Sequence, residues 1–151
     1  MRKDRKDVRR SSFEYREEKR RNLLEVFNSE LGKDVQDNVE DVLRRVVDRP
    51  SRRFWVSEER AQRVISLMER THMPPPCKGL RREMYEEIWR RCMFLLRDHP
   101  DWPLSRRVFY VVNHEAPKFY LTVDHAHHLI CEEKAVCRIE QMRRLRRFLA
   151  A

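Results

Sequence analysis

A chain of 151 residues has room for one compact domain, or for two small ones that share a core. Charged residues make up 39% of it, well above the ~25% of an average domain. Only Gly32 and Gly79 are glycines, which excludes glycine-rich phosphate loops and argues against a turn-rich all-β chain.

The net charge of +9 is unevenly placed. Residues 1–21 hold ten Lys/Arg against five Asp/Glu, and residues 138–151 hold five Arg against one Glu, while 22–137 sum to zero. Basic ends around a neutral body are the pattern of contact elements for a polyanion. No apolar run approaches the ~18 residues of a membrane span, and residues 1–10 lack the apolar stretch of a secretory signal. The four cysteines (Cys77, Cys92, Cys131 and Cys137) form no Cys-x-x-Cys pair, so they read as free thiols of a reducing, cytoplasmic compartment.

In chain order, residues 1–21 read as a basic arm. Arg2, Lys3, Arg5, Lys6, Arg9 and Arg10 are its candidate phosphate contacts, and it has too few apolar residues to order by itself. Residues 22–73 read as a first helical unit. Its opening helix runs from about Glu14 through Leu23, Leu24, Phe27 and Leu31 to the turn at Gly32. Its second carries Val35, Val39, Val42, Leu43, Val46 and Val47 on one face, and its third spans Glu58–Arg70 behind the N-cap Ser57. Residues 74–79, with three prolines, are an extended joint. Residues 80–137 read as a second such unit. Leu80, Met84, Ile88, Cys92 and Leu95 stripe its first helix, which stops before Pro100. Its second follows Pro103 with Leu104, Val108, Val111 and Val112, and its third starts after the N-cap Thr122. The apolar stripe then continues through Val136, Ile139, Met142, Leu145 and Phe148/Leu149 into a basic C-terminal helix over 138–151, with Arg143, Arg144, Arg146 and Arg147 on it.

The two units are related by an offset of 65 residues. Over 46–65 against 111–130 the alignment is gapless, with five identities and seven conservative pairs on apolar, aromatic and hydroxyl positions. The expected fold class is all-α, two tandem three-helix repeats with a long basic C-terminal helix. Arg53-Phe54-Trp55-Val56-Ser57-x-x-x-Ala61, echoed by Lys118-Phe119-Tyr120-Leu121-Thr122-x-x-x-Ala126, resembles a string in uncharacterised small basic proteins of bacterial mobile elements. The likeness covers most of residues 40–131 and implies bacterial cytoplasm and work beside DNA or RNA.

The connector cations and aromatics Arg52, Arg53, Trp55, Lys118 and Tyr120 are candidates for stacking unpaired bases. The repeat also offers a packing reading, because the phenylalanine is identical in both copies. A helix-turn-helix meets two objections: a connector of about eight residues, and the acidic starts Glu58-Glu59 and Asp124 on the would-be reading helices. His125, His127, His128 and Cys131 have metal-ligand chemistry, but they align with Arg60, Gln62, Arg63 and Ser66 of the first unit, which marks a solvent face. No metal or cofactor is expected. Glu83, Glu86 and Glu87 lie at helical spacing from Arg82, Arg90 and Arg91, and no nucleophile–base pair is recognisable, so no enzyme is expected. The expected function is non-catalytic association with nucleic acid, DNA or RNA, as an accessory subunit within a larger protein or enzyme complex. The alternative is a protein–protein adaptor or homo-oligomer acting through the amphipathic C-terminal helix. No membrane partner is expected.

Overall fold

The computed structural model describes the backbone of residues 5–34 and 36–150, and within those bounds the side chains from Tyr15 onward. The described chain is all-helical: α1 (Arg5–Glu30), α2 (Val39–Val47), α3 (Glu58–Thr71), α4 (Gly79–Asp98), α5 (Leu104–Val112) and α6 (Val123–Ala150). None of these helices is long and apolar enough to cross a membrane.

Local chemistry sets the ends. The Asn38 side chain accepts from the Asp41 amide, with Glu40 and Asp41 in the first turn of α2 and Arg44 and Arg45 in its last, the arrangement a helix dipole favours. Ser57 accepts from the Arg60 amide and Thr122 from the His125 amide, so both hydroxyl residues cap as expected. His72 ends α3 in the left-handed region (φ 52°) before the prolines. Gly79 uses its own left-handed φ of 65° to turn the joint into α4. Two bounds differ from expectation. The α1 helix begins at Arg5, upstream of Glu14, and α2 begins at Val39; Val35 lies outside the described residues.

Packing regroups the helices. Contacts between them fall into two triples, α1 with α2 and α6, and α3 with α4 and α5. The first encloses a core of Leu23, Phe27, Val42, Leu43, Val46, Leu129 and Ile130. The second encloses Ala61, Ile65, Met84, Ile88, Cys92, Val108, Val111 and Val112. The chain therefore lays two helices in one triple, crosses to build the whole of the other, and crosses back with α6.

The two crossings are the connectors 48–57 and 113–122, and they hold each other. The Ser51 amide donates to the Ala116 carbonyl (3.0 Å) and the Ala116 amide to the Ser51 carbonyl (2.9 Å), an isolated antiparallel bridge. The Phe54 amide then donates to the Val112 carbonyl (3.1 Å), and the Phe119 amide to the Val47 carbonyl (3.0 Å). Each connector thus closes the last turn of the other unit's second helix. Beyond the bridge, neighbouring side chains of each connector go to different cores. Phe54 enters the second core while Trp55 packs on the first; Phe119 enters the first while Tyr120 packs on the second. Tyr120 lies stacked on Phe54, ring centroids 6.0 Å apart. Its left-handed φ of 55° is costly for a bulky residue, on the order of 1 kcal/mol or more, and this packing holds it there.

Two buried arginines pair between the helices, one with a buried and one with a half-buried carboxylate. Arg20 of α1 meets Glu133 of α6 (3.3 Å), both nearly inaccessible, and Arg107 of α5 meets Glu69 of α3 (3.3 Å) and donates to the Cys92 carbonyl. Removing one member of such a pair strands the other, at about 3–5 kcal/mol.

Because each core borrows a phenylalanine from the opposite connector, the two should unfold together. Phe119→Ala is expected to cost about 3–5 kcal/mol and to leave one transition, read alike by far-UV circular dichroism and by Trp55 fluorescence in a Trp89→Phe, Trp102→Phe background, in urea. Two separated transitions would contradict the crossing.

Candidate nucleic-acid interface

The structure divides the candidate cations into two classes. Those of the connectors are occupied by their own chain. Arg52 pairs with Glu25 (2.6 Å), and its amide donates to the buried Asn22 side chain (3.0 Å). Arg53 donates to the carbonyls of Phe54 (3.1 Å) and Val56 (3.2 Å), and its guanidinium lies 4.1 Å from the Tyr15 ring centroid. Lys118 pairs with Glu83 (2.8 Å). The Trp55 ring nitrogen is buried, without a hydrogen-bond partner. Burial, with Glu87 nearby, pushes the Tyr120 phenol up to about 12. These residues tie the crossing together, and their aromatic faces are spent on the cores.

The second class lies on α6. Ala126, Leu129, Ile130 and Glu133 are buried against the body, and Val136 and Cys137 are half-buried. From Arg138 to Ala150 every residue is exposed. Arg143, Arg144, Arg146 and Arg147 stand on this stretch, and none forms an ion pair or hydrogen bond with a described residue. Ile139, Met142, Leu145, Phe148 and Leu149 stand there too, each more than half exposed. The expectation that this stripe prolongs the core-facing one is corrected by the geometry. A three-residue step falls about 60° short of a full turn, so the steps from Val136 to Phe148 walk around the helix instead of along its buried face. The buried positions, carried forward from Glu133 and Cys137, reach Glu140, Arg144 and Arg147.

A further cationic cluster had no signal in the sequence. Lys19 of α1 is half-buried, and burial, with Arg16 and Arg81 nearby, lowers its pKa to about 8. Burial, followed by the charges of Lys19 and Arg16, likewise lowers that of His125. Lys19 and Arg81 lie more than sixty residues apart, so only the packed chain brings them together. Arg16 is shared with Glu132 (2.9 Å).

Arg2 and Lys3, and the side chains of Arg5, Lys6, Arg9 and Arg10, lie outside the described residues. His125, His127, His128 and Cys131 are all exposed on α6. An open apolar groove of about 700 Å³ runs between the end of α3, the joint and α4, lined by Met68, Met73, Pro75, Trp89, Met93 and Leu96 among others. Comparison of the chain with protein-family profiles, with curated proteins and with solved structures finds no match.

Since residues 138–150 are all exposed and Arg143, Arg144, Arg146 and Arg147 among them pair with no described residue, a chain ending at Cys137 is expected to unfold within about 0.5 kcal/mol of the full one in urea. A larger loss would mean that the stretch packs on the body. A lysine whose pKa falls on folding opposes folding wherever it is charged. Lys19→Met is therefore expected to stabilise the protein at neutral pH. The gain shrinks as pH rises through about 8 and is gone above the unfolded lysine value of about 10.4. Urea midpoints across that window check it, and a gain independent of pH would contradict the burial of a charged amine.

Proposed function

We propose that this is a non-catalytic protein associated with nucleic acid, holding the phosphate backbone through the arginines of its last helix and through the basic arm at residues 1–21. The carrying observation is the contrast among the cations. Arg16, Arg20, Arg52, Arg91 and Lys118 of the body pair with Glu132, Glu133, Glu25, Glu87 and Glu83, whereas the arginines beyond Cys137 are exposed and engage no described carboxylate. An exposed helical row of guanidinium groups tracks a phosphate backbone without reading bases, so such binding is electrostatic and weakly sequence-specific. It suits an accessory subunit of a DNA- or RNA-processing complex.

The body, in this reading, is a duplicated three-helix unit whose third helices have changed places. The support is positional. The starts of α2 and α5, and those of α3 and α6, are 65 residues apart. So are the bridged residues Ser51 and Ala116, the donors Phe54 and Phe119, and the acceptors Val47 and Val112. Buried positions follow the same offset, Leu23 with Ile88, Phe27 with Cys92, and Ala61 with Ala126. The Arg20–Glu133 pair then has Tyr85 and Met68 as counterparts, so one copy fills with apolar side chains what the other fills with an ion pair.

Titrating a labelled 20-base-pair duplex and a matched RNA at several salt concentrations tests the function. Affinity is expected to fall linearly on log–log axes. Replacing Arg143, Arg144 and Arg147 together with glutamine should flatten the duplex slope by about 2.7, close to 0.9 for each lost phosphate contact. Salt-independent binding, or none at low salt, would overturn the proposal.

A further inference from the structure

A phosphate backbone offers nothing to Met142, Leu145 and Leu149, yet the structure holds these side chains in solvent. Their spacing says what covers them. Cys131, Ala135, Arg138, Met142, Leu145 and Leu149 follow alternating steps of four and three residues, the seam of a two-stranded coiled coil. All six are exposed. In the same register Ala126, Leu129, Ile130, Glu133, Val136 and Cys137 occupy the outward heptad positions, and those are the ones that pack on or toward the body. The seam thus lies about 140° around α6 from the face the body covers, and it is open along its length. At 1.5 Å per residue it spans about 28 Å.

The charges decide the occupant. An acidic partner, or an anionic bilayer, would be met by cations along both edges of the seam. The edge positions here are Glu132, Lys134, Ile139, Gln141, Arg146 and Phe148; Glu132 and Lys134 are engaged by Arg16 and Phe27 of the body, which leaves Arg146 as the one cation that faces no partner. Arg143, Arg144 and Arg147 fall on the outward positions, the side that upstream faces the body. The seam is therefore apolar, nearly neutral at its edges and complementary to itself, and pairing with a second copy sets few like charges against each other. Arg138, the one charged residue on the seam, weakens the pairing and sets its register, as a lone polar residue does in such seams.

We propose that a second copy of this chain occupies the seam, the two α6 helices running parallel from Cys131 to Leu149 and carrying the arginines of both copies outward. The pairing does not rest on nucleic-acid binding, because assembly and binding are read separately. With under three heptads, the dimer forms in a concentration-dependent way.

Sedimentation equilibrium of the full chain should show mass rising from monomer to dimer with concentration. Leu145→Glu should weaken association at least about tenfold, because it places a charge in the seam, with circular dichroism and urea midpoint unchanged. Arg143→Gln, on the outward side, should leave association intact while weakening the duplex titration. In a chain with Cys77→Ser and Cys137→Ser, a short bis-maleimide should join Cys131 to Cys131 only when the helices are parallel. A monomer at every concentration, a dimer indifferent to Leu145→Glu, or crosslinks from Cys131 analogues placed in the groove at Met93 in preference to Cys131 itself would each overturn the pairing. Failure of the duplex titration alone would overturn only the nucleic-acid reading.

Discussion

Everything in this molecule turns on two short connectors bonding to each other. A buried backbone amide without a partner is costly, and in a helical protein the connectors ordinarily find theirs in water. Here Ser51 and Ala116, both buried, satisfy each other, and two further bonds, from the Phe54 amide to Val112 and from the Phe119 amide to Val47, lock each connector onto the end of a helix it does not follow. Once that exchange is made, α3 must join α4 and α5, and α6 must return to α1 and α2. The direction in which α6 leaves the body, and hence the face it exposes beyond Cys137, follows from it.

Much of this was legible in the residues. Periodicity located the helices, and the hydroxyls of Ser57 and Thr122 act where capping chemistry places them. The offset that aligned Phe54 with Phe119 marked two anchors that are both buried. The grouping of α1 and α2 with α6, and of α3 with α4 and α5, was not legible, for a physical reason. When several helices carry similar apolar stripes, more than one pairing buries them, and the stripe cannot say which helix it meets. The apolar stripe beyond Val136 was misread for a different reason. Apolar residues at constant three-residue steps look like a stripe in the sequence, but on a helix they spiral, so Ile139 and Phe148 do not share the face of Leu129 and Ile130. The influence of Arg81 on Lys19 arises from the tertiary fold, which no local pattern records.

The electrostatics sort along the same line. Residues 22–137 carry no net charge, and several of their charges meet within the body: the Glu30 carboxylate accepts from Lys33 and Arg45, with Arg49 beside it, contacts that hold it below the usual carboxylate range. Asp37 is held low by Arg45 in the same way. A body neutralised in this manner has little long-range field of its own, so a polyanion is steered by what extends from it. The helix beyond Cys137 combines an arginine side with an apolar side, and the two faces call for different partners. Under the two proposals made above, their separation around one helix would let a single element both assemble and bind.

Hydrogen exchange at four backbone amides, those of Ser51, Phe54, Ala116 and Phe119, tests the crossing most directly. If the connectors bond each other as described, these amides sit outside helices yet exchange only through global unfolding, with the same protection as Val46 and Val111 in the cores. Exchange at the rate of exposed loop amides, while the helices remain protected, would show that the connectors run separately and that the two triples are not tied by them.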